Sequence, residues 1–174
     1  IASLNSLWIS IVATIIGISV GILLTLIIFN ESLEITITFE NLRLKINDKV
    51  ETIDKKNISA IYTENNQLVI LGESSNQLYR EVFDTKKETA REAFNHYHYP
   101  WYEKDPYKSL YQRWVLGHPD FPEKINALLY AREHTLKEGK KADAKYLQME
   151  LAKLGVVIRD DNNGQYVRLA KGID

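Results

Sequence analysis

The chain contains no cysteine, which excludes disulfide bonds, thiol catalysis and metal sites with cysteine ligands. It also lacks a glycine-rich nucleotide-binding loop. Its four histidines are not accompanied by the carboxylates or thiols of a metal site. Neither a nucleophile–base pair nor a carboxylate dyad stands out in the sequence. We therefore predict a protein that is not an enzyme and that carries no cofactor and no metal.

The chain also lacks an excess of charge of either sign. Its 174 residues include 22 basic and 23 acidic ones, which gives a net charge of −1. A near-neutral chain offers no general case for binding nucleic acid. Without its apolar N-terminal run the chain keeps about 145 residues, enough for one medium or two small folded units.

Charge and proline are both absent from the 23 residues between Leu7 and Phe29. A bilayer core needs about 20 apolar residues in a helix, so we predict a transmembrane helix here. The alternatives are a signal peptide, which normally has a basic start, and a buried helix of a soluble protein. Basic residues follow the run and do not precede it, which predicts a cell-membrane location with cytoplasmic domains. The chain begins with Ile1, which indicates a fragment or a processed form.

Small residues recur at every fourth position of this predicted helix and share one of its faces. Such a face allows close approach of a second transmembrane helix, from the same protein or from a second copy. The candidate helix-packing residues are Ala13, Gly17, Gly21 and Thr25.

Alternating apolar and polar residues predict six strands between Glu34 and Phe83. Asparagine-rich turns separate them, and the short spacing indicates an antiparallel meander in a partly open barrel or sandwich. Thr85 and Glu88 fit a capping box for a helix that covers the sheet. Six strands and a closing helix over roughly residues 31–99 resemble the bacterial pleckstrin-homology-like (PH-like) domains, whose usual form has seven strands.

The C-terminal part predicts a helical hairpin followed by a β-hairpin. Apolar spacing from Tyr107 to Val115 first indicates a short amphipathic helix. Two further helices are expected to end near Gly139 and at Gly155, where glycine adopts the left-handed conformation easily. Strands beginning at Val156 and ending at Leu169 complete the module.

This C-terminal part resembles the anticodon-binding end of cysteinyl-tRNA synthetases. Three polar or aromatic positions of that pattern differ, since Lys145, Gln148 and Val167 replace Asp, Arg and Trp. The resemblance implies a retained fold with relaxed RNA contact. The matching residues are Arg132, Ala144, Leu147, Leu151, Leu154, Gly155, Asp160, Gly164 and Arg168.

Taken together, the apolar run, the PH-like middle and the synthetase-like end resemble the YqeB family of bacterial membrane proteins. The predicted fold class is α+β: a transmembrane helix, a small antiparallel β domain with a closing helix, and a helical hairpin with a β-hairpin. The predicted domains cover residues 1–30, 31–101 and 102–174.

Three functional hypotheses remain open. We prefer a membrane-anchored interaction or scaffold protein, whose partners are the lipid bilayer, a second transmembrane helix and an unidentified protein. The second is a membrane-tethered module that binds RNA, tRNA in particular, although acidic residues among its lysines predict weak binding. The third is recognition of anionic lipid by the PH-like domain. Candidate RNA-binding residues are Arg132, Lys137, Lys140, Lys141, Lys145, Arg159 and Arg168, and candidate lipid-binding residues are Lys45, Lys49, Lys55 and Lys56.

Overall fold

The computed structural model of the chain describes residues 8–19, 33–162 and 164–171, and it has an α+β fold with antiparallel sheets. Residues 8–19 are helical. Within the described ranges no helix is both long enough and apolar enough to cross a membrane. This finding contradicts the predicted fold class, which began with a transmembrane helix over Leu7–Phe29; Leu7 and residues 20–29 lie outside the described residues.

The six strands predicted for the first part of the chain are confirmed, and they form two three-stranded antiparallel sheets. Asparagines occupy the left-handed turn positions between strands, at Asn47 and at the Asn65–Asn66 pair. A two-residue hairpin with both φ angles positive suits the right-handed twist of its strands. The first sheet contains β1 (Glu34–Ile37), β2 (Asn41–Ile46) and β3 (Lys49–Asp54), and the second contains β4 (Ile58–Glu64), β5 (Gln67–Gly72) and β6 (Gln77–Val82).

Helix α1 (Lys87–His96) covers the two sheets and closes their shared core. Its Phe94 is 1% exposed and packs among leucines and isoleucines of both sheets. The predicted capping box is wrong, because the helix begins at Lys87 and its N-cap residue, Lys86, makes no side-chain capping bond.

The segment after α1 extends the second sheet by pairing in parallel with β4. The amide of Ile61 donates to the carbonyl of Pro100 at 2.9 Å, and the amide of Tyr102 donates to the carbonyl of Ile61 at 2.8 Å. Trp101 stacks on Phe94 with ring centroids 5.6 Å apart. The β4 edge of this sheet is therefore covered, while β6 forms the opposite edge.

The C-terminal part contains a third three-stranded sheet together with two helices. In this sheet β9 (Gly164–Leu169) lies between β7 (Gln112–Arg113) and β8 (Val156–Asp161). The predicted short helix before it is wrong: after a 3-10 turn at Lys108–Leu110, the chain becomes a strand paired with β9. The amide of Trp114 donates to the carbonyl of Gln165 at 2.8 Å, so long-range pairing replaces local helical bonds. The elements are β7 (Gln112–Arg113), α2 (Glu123–Lys137), α3 (Lys141–Lys153), β8 (Val156–Asp161) and β9 (Gly164–Leu169).

The predicted hairpin of two helices is confirmed by α2 and α3. Gly139 lies between them with φ +75°, and Gly155 follows α3 with φ +74°. Both glycines occupy the left-handed region that other residues adopt only at a cost. Leu129 of α2 and Leu151 of α3 are fully buried against the sheet.

Candidate functional site

A groove between β6 and α3 is lined by residues from both halves of the chain. Its cavity has a volume of about 540 Å³. All six residues of β6 line one wall, and α3 contributes residues spaced three and four apart, which lie on one helical face. The α3 wall consists of Lys141, Ala144, Lys145, Gln148, Met149, Ala152 and Lys153.

The two walls of the groove have similar lengths. The six residues of β6 extend about 20 Å at 3.3 Å per residue. The thirteen residues of α3 also extend about 20 Å at 1.5 Å per residue. A segment of five or six residues in extended conformation would match both lengths, at about 3.3 Å per residue.

The outer edge of β6 is open. This strand stands at the end of its sheet and pairs with β5 alone among the strands that the structure describes. In an antiparallel sheet an edge strand leaves its outward N–H and C=O groups without a strand partner. The wall formed by β6 therefore presents main-chain donors and acceptors as well as side chains.

Two carboxylates lie where the groove meets the first sheet. Glu51 of β3 is opposite the buried Leu44, and Glu81 of β6 is opposite the buried Leu68. Residues opposite each other in a sheet share a face, so both carboxylates belong to the inward faces of edge strands. Partial burial, together with the charge of Glu81, raises the pKa of Glu51.

One ion pair connects the two walls. Nζ of Lys145 lies 2.6 Å from a carboxylate oxygen of Glu81. The Glu81 side chain is 17% exposed and the lysine is 53% exposed. Glu51 has no ion pair among the described residues, so this end of the groove keeps an uncompensated negative charge.

Apolar side chains are exposed along the same groove. Val82 is 53% exposed, Met149 is 54% exposed and Leu136 is 37% exposed. Methionine is flexible and polarisable, and it suits surfaces that adapt to a partner. The groove thus combines an open strand edge, an acidic end and apolar contact area.

The relative position of the groove walls depends on a buried junction around Asp105. The hydroxyl groups of Tyr62 and Tyr111 each donate to Oδ2 of Asp105 at 2.9 Å, and the amide of Tyr107 donates to Oδ1 at 2.8 Å. Burial is the main cause that raises the pKa of both phenols, to about 12 for Tyr111. From the sequence, Asp105 is notable only for lying near the predicted boundary between residues 31–101 and 102–174.

Arg168 of β9 extends this junction. Its guanidinium lies 4.7 Å from the ring centroid of Tyr107 and 5.3 Å from that of Tyr111. Nη1 also donates to the hydroxyl of Ser75 at 3.3 Å. The arginine is 3% exposed, so its cation–π contacts to the two tyrosines form in a desolvated setting. Its bond to Ser75 connects this cluster to the first half of the chain.

A third connection joins β4, β6 and β8. A carboxylate oxygen of Glu64 lies 3.1 Å from Nε of Arg159, and the other lies 3.6 Å from Nη1 of Arg80. Arg80 also donates to Gln67 and Gln77. Since the Arg80 side chain is 6% exposed and Glu64 is 15% exposed, this cluster is largely removed from water.

Most of the candidate RNA-binding residues are engaged within the protein. Arg132 is 2% exposed, and its guanidinium forms a two-pronged ion pair with Asp160 at 2.8 and 2.6 Å. It also donates to Gln165 at 2.7 Å and to Gln148 at 3.2 Å. Three of the lysines each form an ion pair with a glutamate: Lys137, Lys140 and Lys145. The two remaining arginines, Arg159 and Arg168, belong to the connections described above.

Lys141 is the one exposed residue of that candidate set without an acidic partner among the described residues, since Arg168, which also lacks one, is buried. The set therefore does not form one open basic surface, although the residues at the α2–α3 turn lie close in sequence. No structural observation tests whether the remaining cation contacts RNA, so this assignment stays a prediction.

The candidate lipid-binding lysines lie in two separate places. Lys45 and Lys49 flank the β2–β3 turn, whereas Lys55 and Lys56 follow β3 at its other end. A six-residue strand of about 20 Å separates the two pairs. Lys55 donates to the carbonyl of Tyr97 at 2.7 Å. The structure does not bring the four lysines together.

Of the candidate helix-packing residues, Ala13 and Gly17 lie in the described helix and are exposed. A Cβ atom added to Gly17 would meet no atom within 4 Å. Gly21 and Thr25 lie outside the described residues. The packing of this face stays a prediction.

The sequence offered one signal for the groove. Met149 is an apolar residue, the chain's one methionine, and it lies outside the apolar face of α3 that the leucine spacing defines. Glu51, Glu81 and Asp105 carried no signal, because each belongs to a different segment and only the tertiary fold brings their surroundings together.

Comparisons with known proteins agree with the three resemblances seen in the sequence, to PH-like domains, to the cysteinyl-tRNA synthetase end and to the YqeB family. The profile of the YqeB-like bacterial PH domain matches residues 1–102, and that of the cysteinyl-tRNA ligase anticodon binding domain matches residues 118–168. A curated relative, YqeB of Bacillus subtilis (strain 168), is 32% identical over 163 residues, which cover 93% of this chain and 68% of the relative. No solved structure matches the chain. These resemblances are confirmed, whereas the transmembrane helix that accompanied them is not supported.

Proposed function

The chain belongs to the YqeB-like bacterial PH domain family, and from this premise we propose that it is a non-enzymatic protein-interaction module whose partner docks in the groove between β6 and α3. The observation that carries the proposal is the groove itself, with an open strand edge on one side and a helix face on the other. Mixed apolar and charged lining is typical of surfaces that bind proteins.

The fixed geometry of the groove supports this proposal. The contacts Tyr62–Asp105, Arg168–Ser75 and Glu64–Arg159 hold its two walls in place before any partner arrives. Less conformational freedom then has to be lost on binding, which favours affinity.

Binding of RNA is the less favoured function. The match to the cysteinyl-tRNA ligase anticodon binding domain points toward it. Affinity for RNA depends strongly on neutralising phosphates with free cations. Six of the seven candidate residues are buried or paired with acidic groups. The predicted cellular location stays a prediction under either function.

A comparison of two arginine substitutions on α3 tests the proposed function. Met149 lines the groove and is 54% exposed, whereas Tyr146 is 63% exposed on the same helix and does not line it. The full chain, its Met149→Arg variant and its Tyr146→Arg variant are each immobilised and exposed to a lysate of the source bacterium. Quantitative mass spectrometry then identifies the retained proteins.

We expect a protein that the wild type and Tyr146→Arg retain and that Met149→Arg loses. A bulky cation in the groove removes apolar contact there, while the same change outside it leaves the groove intact. Circular dichroism verifies that both variants are folded. A set of retained proteins that is identical for all three chains would contradict docking in the groove.

A further inference from the structure

We infer that the occupant of the groove is an extended peptide segment that adds a strand to the outer edge of β6 and places a lysine or arginine side chain beside Glu51. This inference rests on the proposed function, and it names the chemical class of the partner. A folded partner can present such a segment as a loop or as a chain end.

The open main chain of β6 argues for a peptide in extended conformation. All six residues of this strand line the groove, and the outer edge has no strand partner among the described residues. A peptide strand that pairs with an open edge satisfies those N–H and C=O groups and gains affinity from main-chain hydrogen bonds. A helix in the groove would leave them unpaired.

The opposite wall gives this strand its specificity. Successive side chains of a strand point to alternate faces. One set of peptide side chains therefore points toward the apolar contacts that Met149 and Val82 offer. β-branched or aromatic residues fit such positions best because they favour extended backbone and bury apolar area.

Charge complementarity at one end of the groove argues for a basic side chain. Glu51, Glu81 and the Tyr79 hydroxyl interact electrostatically, and Lys145 compensates one of the two carboxylates. Glu51 has no ion pair of its own in the described part of the chain. Partial burial and the charge of Glu81 raise the pKa of Glu51, and a ligand cation beside Glu51 would favour its charged form.

Selection from a library of random linear peptides tests the inference with the full-length protein. The most enriched peptide is synthesised with a fluorescent label, and its affinity is measured by fluorescence anisotropy. Two further versions carry backbone N-methyl groups at alternate positions, one set in each register. N-methylation removes the peptide N–H donors, so it separates main-chain pairing from side-chain contact.

We expect the enriched peptides to combine a lysine or arginine with β-branched or aromatic residues. One N-methyl register should abolish binding, whereas the other should retain it, because only alternate amides face β6. Glu51→Lys should weaken binding by about tenfold or more, and exchange of the peptide cation for glutamate should restore part of it. Glu88→Lys is the matched control, since Glu88 is an exposed acid on α1 outside the groove.

Each other result decides against the inference in a distinct way. Peptides that lose affinity for Met149→Arg and yet tolerate both N-methyl registers would overturn strand addition while leaving groove docking in place. Peptides that bind Glu51→Lys and Met149→Arg as well as wild type would overturn both. If no peptide is enriched, the inference of an extended peptide is overturned but docking in the groove is not. A lysate protein that is retained by wild type and Tyr146→Arg and lost by Met149→Arg would still support docking in the groove.

Discussion

At the scale of single residues, Arg132 illustrates how burial changes the meaning of a charged side chain. The sequence places it among cations of a helical hairpin, where it counts as a candidate for phosphate contact. In the fold it is 2% exposed and its guanidinium joins α2 to Asp160 of β8 and Gln165 of β9. Its role is to hold the helical hairpin on the sheet.

Replacing Arg132 should therefore destabilise the protein. Arg132→Met removes hydrogen bonds to a carboxylate and two glutamines, and we expect the free energy of unfolding to fall by about 2–3 kcal/mol. The loss of stability is not larger because the Asp160 side chain is 50% exposed, so water can hydrate its carboxylate once the arginine is removed. Urea denaturation followed by circular dichroism measures it. Lys137→Met is the control, because the side chains of its ion pair with Glu133 are 70% and 32% exposed. It should change the free energy of unfolding by less than about 0.5 kcal/mol. Equal stability of the two variants would refute the structural role of Arg132.

The buried phenols of Tyr62 and Tyr111 predict a loss of stability at alkaline pH. Their pKa values lie above the ordinary value of 10.0, at about 12 for Tyr111, chiefly because burial disfavours the charged phenolate. The unfolded chain loses these protons at lower pH than the folded chain does. Stability from this source is thus complete below about pH 10 and is lost as the pH rises toward about 12.

Urea denaturation at about pH 8 and about pH 11 checks this expectation. The double variant Tyr62→Phe with Tyr111→Phe should be less stable at the lower pH, by about 1 kcal/mol for each lost hydrogen bond. It should also lose less stability than wild type between the two pH values. An equal loss in both proteins would show that other groups govern alkaline unfolding.

At the scale of elements, the sequence predicts those helices and strands that a local residue pattern determines. Alternation of apolar and polar residues around Leu42 and Leu44 predicts β2, and both leucines are at most 1% exposed. Gly139 and Gly155 mark helix ends because a left-handed residue is needed there. The segment before Trp114 has helical spacing and yet forms β7, because its partner strand lies about 50 residues further along the chain and no local pattern reports it.

The groove escapes sequence reasoning for the same reason. Its walls come from β6 and α3, which lie about 60 residues apart, and its acidic end adds Glu51 from β3. A helix face with Lys141, Lys145 and Lys153 looks like a solvated surface until the fold places a strand edge beside it. The basic α2–α3 turn looked like an RNA site because the sequence does not show which lysines find acidic partners.

The α2–α3 turn gives a prediction about RNA. Since Lys141 is the one exposed candidate cation without an acidic partner among the described residues, the turn can neutralise about one phosphate. We expect weak binding with a logarithmic salt slope of about −1, no preference for tRNA, and loss of binding at physiological salt. Filter binding of labelled tRNA and of a non-tRNA transcript over a salt series measures this.

Replacing Lys140, Lys141 and Lys145 together with alanine should flatten the remaining slope. The matched control replaces Lys124, which lies at the other end of α2. Arg132→Ala is unsuitable as a test of RNA contact, because a loss of binding would reflect unfolding. A slope of about −3 or steeper, with micromolar or tighter tRNA affinity, would contradict the assignment of these lysines to intramolecular pairs.

At the scale of the whole molecule, the two halves of the chain share buried contacts. Tyr62 of β4 is fully buried, and its hydroxyl binds Asp105 in the segment that leads into the C-terminal unit. Tyr107 packs on the Ala60–Tyr62 face of the second sheet. Arg168 of β9 contacts Ser75 of the loop before β6. These contacts place α3 beside β6, and so they create the groove to which the proposed function is assigned.

Photo-crosslinking from a single position in the groove tests that assignment most directly. The chain has no cysteine, so Met149→Cys provides one unique thiol in the groove and Tyr146→Cys provides one on the same helix outside it. Each thiol is labelled with a benzophenone, mixed with a lysate of the source bacterium and irradiated. We expect a discrete protein adduct from position 149, absent from position 146, in which mass spectrometry locates the crosslink within an extended segment of the partner. Equal adducts from both positions, or adducts at position 149 with RNA or lipid alone, would contradict a protein-docking groove between β6 and α3.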